Sequence, residues 1–314
     1  MSSSENPIVG SLSPDTGPPD TPPATTLARL RASASATVSA AIMPLMQRAG
    51  RAYVGGETVD DALSIARRLN DEEKLPTTLG FWDTKDYSAR QVADICVDAI
   101  RRLAESGLDS YLSIKPPALR FDPQLAAALA KTARDCNVRV HSDSHGPEVA
   151  AASHAMEDAM LVHLPAGSLS TTLPGRWSRS VADADWAIEQ GLRVRVVKGQ
   201  WPDPADPSRD VSAGYLEVID RLAGRARQVG LASHDVPLAA EAVARLRAAG
   251  TPFELELLYG MPMAPSLRWA RETGIPLRIY VPFGKGFIPS AVGVLRRNPR
   301  LAWLVLKDFV SASS

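Results

Sequence analysis

In the run Arg193-Val194-Arg195-Val196-Val197-Lys198-Gly199-Gln200-Trp201, basic residues alternate with valine at the two-residue period of an extended strand. That period sets Arg193, Arg195 and Val197 on one face and turns Lys198 to the other. On an interior face the two guanidinium groups need carboxylate partners or an anionic or electron-rich ligand; on an edge strand they are half-exposed surface charges. A second candidate is Lys115, in Ser113-Ile114-Lys115-Pro116-Pro117. It ends an apolar run, where an ammonium calls for a structural carboxylate or an anionic ligand. The third is His141-Ser142-Asp143-Ser144-His145, two imidazoles and a carboxylate at spacing two, the projection that metal ligands have. His154, His163 and His234 have no spacing that completes such a set, so no metal is expected. No strand is followed by G-x-G-x-x-G and no P-loop pattern is present, so a dinucleotide has to lie elsewhere than on a Rossmann or P-loop turn.

These residues sit at the ends of short β-rich runs. Such runs fall at 77–81, 111–115, 138–142, 168–174, 194–198, 230–234, 253–258 and 277–281. Between them lie segments with apolar residues at helical spacing, such as 89–105 and 237–249, and many are expected to end in glycine (Gly107, Gly191, Gly230, Gly250, Gly274). Eight strand–helix units in succession predict an α/β fold, a (β/α)8 TIM-type barrel, in preference to an open doubly wound sheet. In a barrel the functional groups gather at strand C-termini, which here carry Lys115, Asp143, Lys198, His234, Asp235 and Tyr259. The barrel is expected over 76–314, preceded by N-terminal helices over 28–75, with Thr58 as N-cap of a helix over 59–69. Residues 1–27 are rich in Ser, Pro, Thr and Gly with few large apolar side chains, and are expected to be a disordered tail.

Composition narrows the setting. Lys and Arg together number 35, as do Asp and Glu, so no global field recruits nucleic acid or an anionic membrane. Cys96 and Cys136 both fall in apolar helical patterns, which fits reduced, buried thiols and not a disulfide framework. No apolar run approaches a membrane span and no secretory pattern opens the chain, so a cytoplasmic protein is expected.

Taken in order, the strand-end motifs resemble the proline dehydrogenase family. The stretches that carry the resemblance are Ser-Ile-Lys-Pro-Pro-Ala-Leu at 113–119, Arg-Val-Val-Lys-Gly-Gln-Trp at 195–201, and a late series: Ala-Ser-His-Asp at 232–235, Leu-Tyr-Gly-Met at 258–261 and Arg-Ile-Tyr-Val-Pro-Phe-Gly at 278–284. It begins at Tyr53 to Thr58 and runs to Pro299. The resemblance implies a non-covalent FAD over the barrel mouth, with Arg195 near the flavin nitrogen that accepts hydride, where it stabilises the reduced, anionic ring. It further implies that Val197, Lys198, Gly199 and Gln200 line the cofactor, that His234 lies against it, that Lys115 and Asp143 form an inward pair, and that Tyr259 shapes the substrate pocket.

The departures bear on the substrate. Counting back from Pro299, the two Arg that clamp the substrate carboxylate in the family fall on Gly293 and Val294, the family Tyr on Ser290 and the Glu on Arg297. Each bidentate Arg–carboxylate contact is worth a few kcal/mol (on the order of 1.5–3), so proline binding should be weakened by powers of ten. Arg296 and Arg297 lie about one turn further on, as contacts for an acid group on a longer substrate or as charges at a helix C-terminus. A strand that ends in Gln in the family here reads Thr172-Leu173-Pro174-Gly175-Arg176, and the acidic residue two after Asp143 is replaced by His145.

The function expected is therefore an FAD-dependent oxidoreductase that oxidises a C–N bond of an amino-acid-derived amine or related substrate by hydride transfer, not proline itself, in specialised or biosynthetic metabolism. The alternatives are a metal-dependent barrel hydrolase or lyase on His141, Asp143 and His145, or a non-catalytic flavin or small-molecule binding protein. The expected partners are a small-molecule amine and an electron acceptor that the sequence leaves unidentified, without nucleic acid or membrane insertion; a homo-oligomer is left open.

Overall fold

The computed structural model describes residues 56–287. The expected tail at 1–27, the first N-terminal helix, and Ser290, Gly293, Val294, Arg296 and Arg297 lie outside the described residues. The described part opens with α1 (Val59–Glu73). Thr58 caps it reciprocally: its hydroxyl accepts from Asp61 N, and the Asp61 carboxylate accepts from Thr58 N. The helix runs past the expected stop at 69, because nothing in Asn70 to Glu73 breaks it; the chain turns at Lys74, left-handed with φ 56°.

Then β1 (Thr77–Phe81), α2 (Ala89–Ser106), β2 (Ser110–Ile114), α3 (Pro123–Asp135), β3 (Val140–Ser142), α4 (Ala150–Leu161), β4 (Leu169–Pro174), α5 (Ser180–Glu189), β5 (Arg193–Val197), α6 (Val211–Leu222), β6 (Val229–Ala232), α7 (Val236–Ala248), β7 (Phe253–Leu258), α8 (Ala264–Glu272) and β8 (Leu277–Phe283) alternate. All eight strands are parallel, and β8 pairs with β1, so the sheet is a closed barrel. This is the expected (β/α)8 architecture; strand ends move by at most two residues, at the start of β3 and the ends of β6 and β8.

Two-residue periodicity separates the faces. Leu79, Leu112, Ile114, Val194, Val196, Leu255, Leu257, Ile279 and Val281 are buried in the layer between the strands and the helices. The alternate positions point inward, and many are polar: Ser113, His141, Thr172, Arg195, Glu254, Glu256, Arg278 and Tyr280. A barrel interior of this fold is usually filled by branched apolar residues; here it is a lattice of ion pairs and hydroxyls. Gly80 is the enabling gap, since a Cβ there would fall 1.9 Å from the Tyr280 hydroxyl. Among the described residues, no helix is long and apolar enough to cross a membrane. Both cysteines are free; Cys96 is buried, while Cys136 is only partly buried because it is the C-cap of α3.

Candidate active site

Five strands deliver the groups at the barrel mouth. Lys115 follows β2 and is 6% exposed. Its ammonium donates to the Phe81 carbonyl at 3.0 Å, to Asp143 at 3.1 Å and to the Tyr280 hydroxyl at 3.4 Å, and it lies 4.4 Å from the Trp82 ring centroid. The β2–β3 ladder positions Asp143, whose N–H donates to the Ile114 carbonyl at 2.9 Å. Arg195, in β5, donates through Nη1 to Asp143 at 2.8 Å, and through Nε and Nη2 to the two Glu256 oxygens, each at 2.7 Å. Tyr280, in β8, donates its hydroxyl proton to Asp143 at 2.8 Å. One carboxylate thus collects an ammonium, a guanidinium and a phenol.

Burial pushes the Asp143 carboxyl up, but Lys115 and Arg195 overcome it and leave the group well below its ordinary value, so it stays ionised. Burial lowers Arg195, and Glu256 and its other neighbours more than reverse this. Glu256 is raised by burial, with Arg195 opposing; both of its oxygens accept from one guanidinium, which is the geometry of a carboxylate. Burial, reinforced by Asp143, raises Tyr280 well above its usual value and keeps its hydroxyl protonated as a donor.

A deeper layer lies beneath. Arg278 donates to Glu254 at 3.0 Å and to the Thr77 carbonyl at 2.8 Å, with Asp109 at 3.2 Å, and Arg193 approaches Glu254 at 3.6 Å. Arg193 and Arg195 do share an inward face, and depth separates them: Arg195 belongs to the mouth, Arg193 to the layer below.

The alternative metal set does not assemble. Both His141 nitrogens are taken by hydroxyls, Nδ1 with Ser170 at 2.7 Å and Nε2 with Thr172 at 2.6 Å, and burial then Arg195 hold the imidazole well below its ordinary pKa. Asp143 is committed to three donors, and β3 ends at Ser142, so His145 leaves the strand period and stacks on Trp201 with ring centroids 5.5 Å apart. Among the described residues, no group of three or more His, Cys, Asp or Glu could hold a metal ion.

Other expected residues are placed as follows. Lys198 pairs with Asp235 at 2.7 Å, Gln200 is exposed, and Val197 ends β5 half-buried. Gly199 is left-handed at φ 94°, and a Cβ there would lie 2.9 Å from Pro174 and 3.0 Å from Arg176. His234 sits at the β6–α7 turn with both nitrogens tied to backbone: Nε2 accepts from Leu258 N–H at 3.0 Å, so Nδ1 donates to the Pro262 carbonyl at 3.2 Å. It is a pin between two loops, able to offer a ring face but no free nitrogen. The Tyr259 hydroxyl accepts from Arg68 of α1 at 2.9 Å and has no bond into the Lys115–Asp143 network. The aromatic in that network is Tyr280.

Tyr280 and Glu256 escaped the sequence reading although the signal was present. Glu254-Leu255-Glu256 and Arg278-Ile279-Tyr280 repeat the charged-apolar alternation that singled out Arg193-Val194-Arg195.

The resemblance implies a flavin, and the residues present fit one. A guanidinium has five N–H groups; Arg195 uses three on Glu256 and Asp143, leaving two for a ligand to engage. Trp82 Nε1 and His145 Nδ1 are buried without a hydrogen-bond partner, which leaves further polar atoms for a ligand to engage.

The fold and site thus define a parallel (β/α)8 barrel with a buried ion-pair cluster at the C-terminal ends of its strands, where barrels of this architecture carry out catalysis. The chain is 26% identical over 281 residues to proline dehydrogenase 1 of Bacillus subtilis subsp. natto, covering 83% of this chain and 90% of that protein. To proline dehydrogenase 2 of Bacillus subtilis strain 168 it is 23% identical over 261 residues, covering 78% and 85%. Among solved structures it shares its fold with proline utilization A (PutA) from Bdellovibrio bacteriovorus inactivated by N-propargylglycine (TM-score 0.68, 18% identity, 83% of this chain and 33% of that one). A second is PutA from Corynebacterium freiburgense (TM-score 0.64, 16% identity, 90% and 34%). The chain spans about a third of the length of these PutA chains. No protein-family model matches it. Sequence similarity, barrel and site together fit a proline dehydrogenase-like family member.

Proposed function

We propose that the chain is an FAD-dependent oxidoreductase that oxidises the C–N bond of an amino-acid-derived amine, with proline a poor substrate. The observation that carries this reading is Arg195, fixed in the mouth by Glu256 and Asp143 with two N–H groups uncommitted. When bound, FAD supplies a two-electron acceptor for hydride. The substrate loses hydride from the carbon next to nitrogen and a proton from the nitrogen, giving an imine; an acceptor then takes the two electrons.

The protein's own groups have defined parts in this. Arg195 directs its remaining N–H groups at developing negative charge, fixed in place before the reaction and so without reorganisation cost. Asp143 is held too acidic to take the amine proton, so the substrate must enter as the free amine or shed its proton to water. Tyr280 and Lys115 keep Asp143 in place and close the cluster against water. The poor fit to proline rests on Gly293 and Val294, which supply no cation where the family has two Arg.

The test is purification with a flavin spectrum, followed by anaerobic screening of amines for bleaching of the flavin bands. Bound FAD that is bleached by an amine supports the reading. Failure to bind FAD at high micromolar concentration, with no rise in melting temperature, refutes it.

A further inference from the structure

Both oxygens of Glu256 are held by one guanidinium, yet neither the expected cofactor contacts nor the Lys115–Asp143 pair explains why it is there. It is 3% exposed, and both of its oxygens are taken by Arg195 at 2.7 Å. The geometry has two effects. It fixes the guanidinium plane, because a two-point fork permits one orientation. It also cancels the charge: at the mouth, Lys115 and Arg195 face Asp143 and Glu256, two cations against two carboxylates. In the layer beneath, Arg193 and Arg278 face Glu254 and Asp109, and the half-buried Arg139 also pairs with Asp109. At the rim, Lys198 is neutralised by Asp235, while Asp83, after β1, adds a carboxylate whose field reaches His145. The inward cations of the mouth, Lys115 and Arg195, are thus both matched by carboxylates, while Arg176 at the rim donates to the Gly199 carbonyl.

We propose that Glu256 is a specificity-determining residue acting through Arg195: it makes Arg195 an oriented hydrogen-bond donor without net positive charge, and so selects amines that lack a free carboxylate. The inference deepens the flavoenzyme reading and rests on it. A carboxylate entering this mouth gives up its water for a cluster whose cations are already satisfied, and burial of an uncompensated anion is unfavourable. A neutral amine such as a cyclic secondary amine meets no such penalty. The same cancellation weakens the preference of the site for a reduced, anionic ring over an oxidised one, so Glu256 also holds the cofactor potential down.

The experiment compares pyrrolidine with L-proline, which differ by the carboxylate alone, in the wild-type protein loaded with FAD and in Glu256→Gln. The wild type should oxidise pyrrolidine with a kcat/KM at least tenfold above that for L-proline. In the variant, KM for L-proline should fall at least tenfold while KM for pyrrolidine holds. The flavin midpoint potential, measured by dye equilibration, should rise; a tenfold gain in relative affinity for the reduced form corresponds to about 30 mV for a two-electron couple. A wild-type preference for L-proline overturns the proposal, and that comparison stands even if the variant fails to fold. An unchanged potential and unchanged KM ratio in a folded, flavin-loaded variant also overturn it. Absence of FAD from the wild type is a separate result, and sinks the flavoenzyme reading instead.

Discussion

Glu157 gives a pH-dependent prediction that is independent of any ligand. It lies on α4, 2% exposed, wedged against the outer face of β4, where its Oε1 accepts from Thr171 at 3.2 Å and its Oε2 has no partner. Burial, with smaller contributions from Asp158 and Asp183, raises it from 4.5 to about 8. The sign follows from linkage. The folded protein holds this proton more tightly than the unfolded chain, so folding is favoured at low pH, and stability falls as pH rises from about 4.5 to about 8. At about 1.4 kcal/mol per pKa unit, the penalty grows by about 3 kcal/mol between pH 5.5 and pH 8.5. Glu157→Gln keeps the shape and the acceptor for Thr171 and cannot ionise. Denaturant unfolding of both proteins at the two pH values should show the variant gaining about 3 kcal/mol over wild type on going to pH 8.5. In thermal melts this corresponds to roughly 6–12 °C for a domain of this size. A stability difference that stays flat with pH would refute the argument, since it would mean that Glu157 is ionised, or neutral, in both states across the range.

Arg195→Ala should impair FAD binding or reduction far more than Arg193→Ala, and should destabilise by about 3–5 kcal/mol by leaving Glu256 unpaired, whereas Glu254 keeps Arg278 when Arg193 is lost; equal small effects in flavin titration and unfolding would contradict the depth assignment. Gly80→Ala drives a methyl into the Tyr280 hydroxyl and should lower stability by about 1–3 kcal/mol, with partial recovery in Gly80→Ala/Tyr280→Phe. No change in the melting curve of the single variant would count against the inward placement of Tyr280. L-proline should be turned over, with an artificial electron acceptor, at well under about 10⁴ M⁻¹s⁻¹. Turnover above that value would mean that the register placing Gly293 and Val294 at the clamp positions is wrong.

The sequence by itself determined which residues face which way. Strict alternation in Arg193-Val194-Arg195 fixed an inward basic face, the Thr58 and Asp61 pair fixed a helix start, and eight repeats of strand and helix fixed the parallel class of the sheet. These are local properties, because strand period, capping and crossover length each depend on a few neighbouring residues. What the sequence did not determine is which inward residues meet. Arg195 and Glu256 are 61 residues apart, and Asp143 and Tyr280 are 137 apart; no periodicity along the chain encodes those pairings. They follow from closure of the barrel, which brings β3, β5, β7 and β8 around one axis at a register set by their ladders. The same closure decided that Tyr280 occupies the network while Tyr259, one residue beyond β7, turns aside to Arg68. It also decided that His141, well spaced for a metal, spends both nitrogens on the hydroxyls of β4. Side-chain type and period specify a face, and only the closed sheet specifies a neighbour.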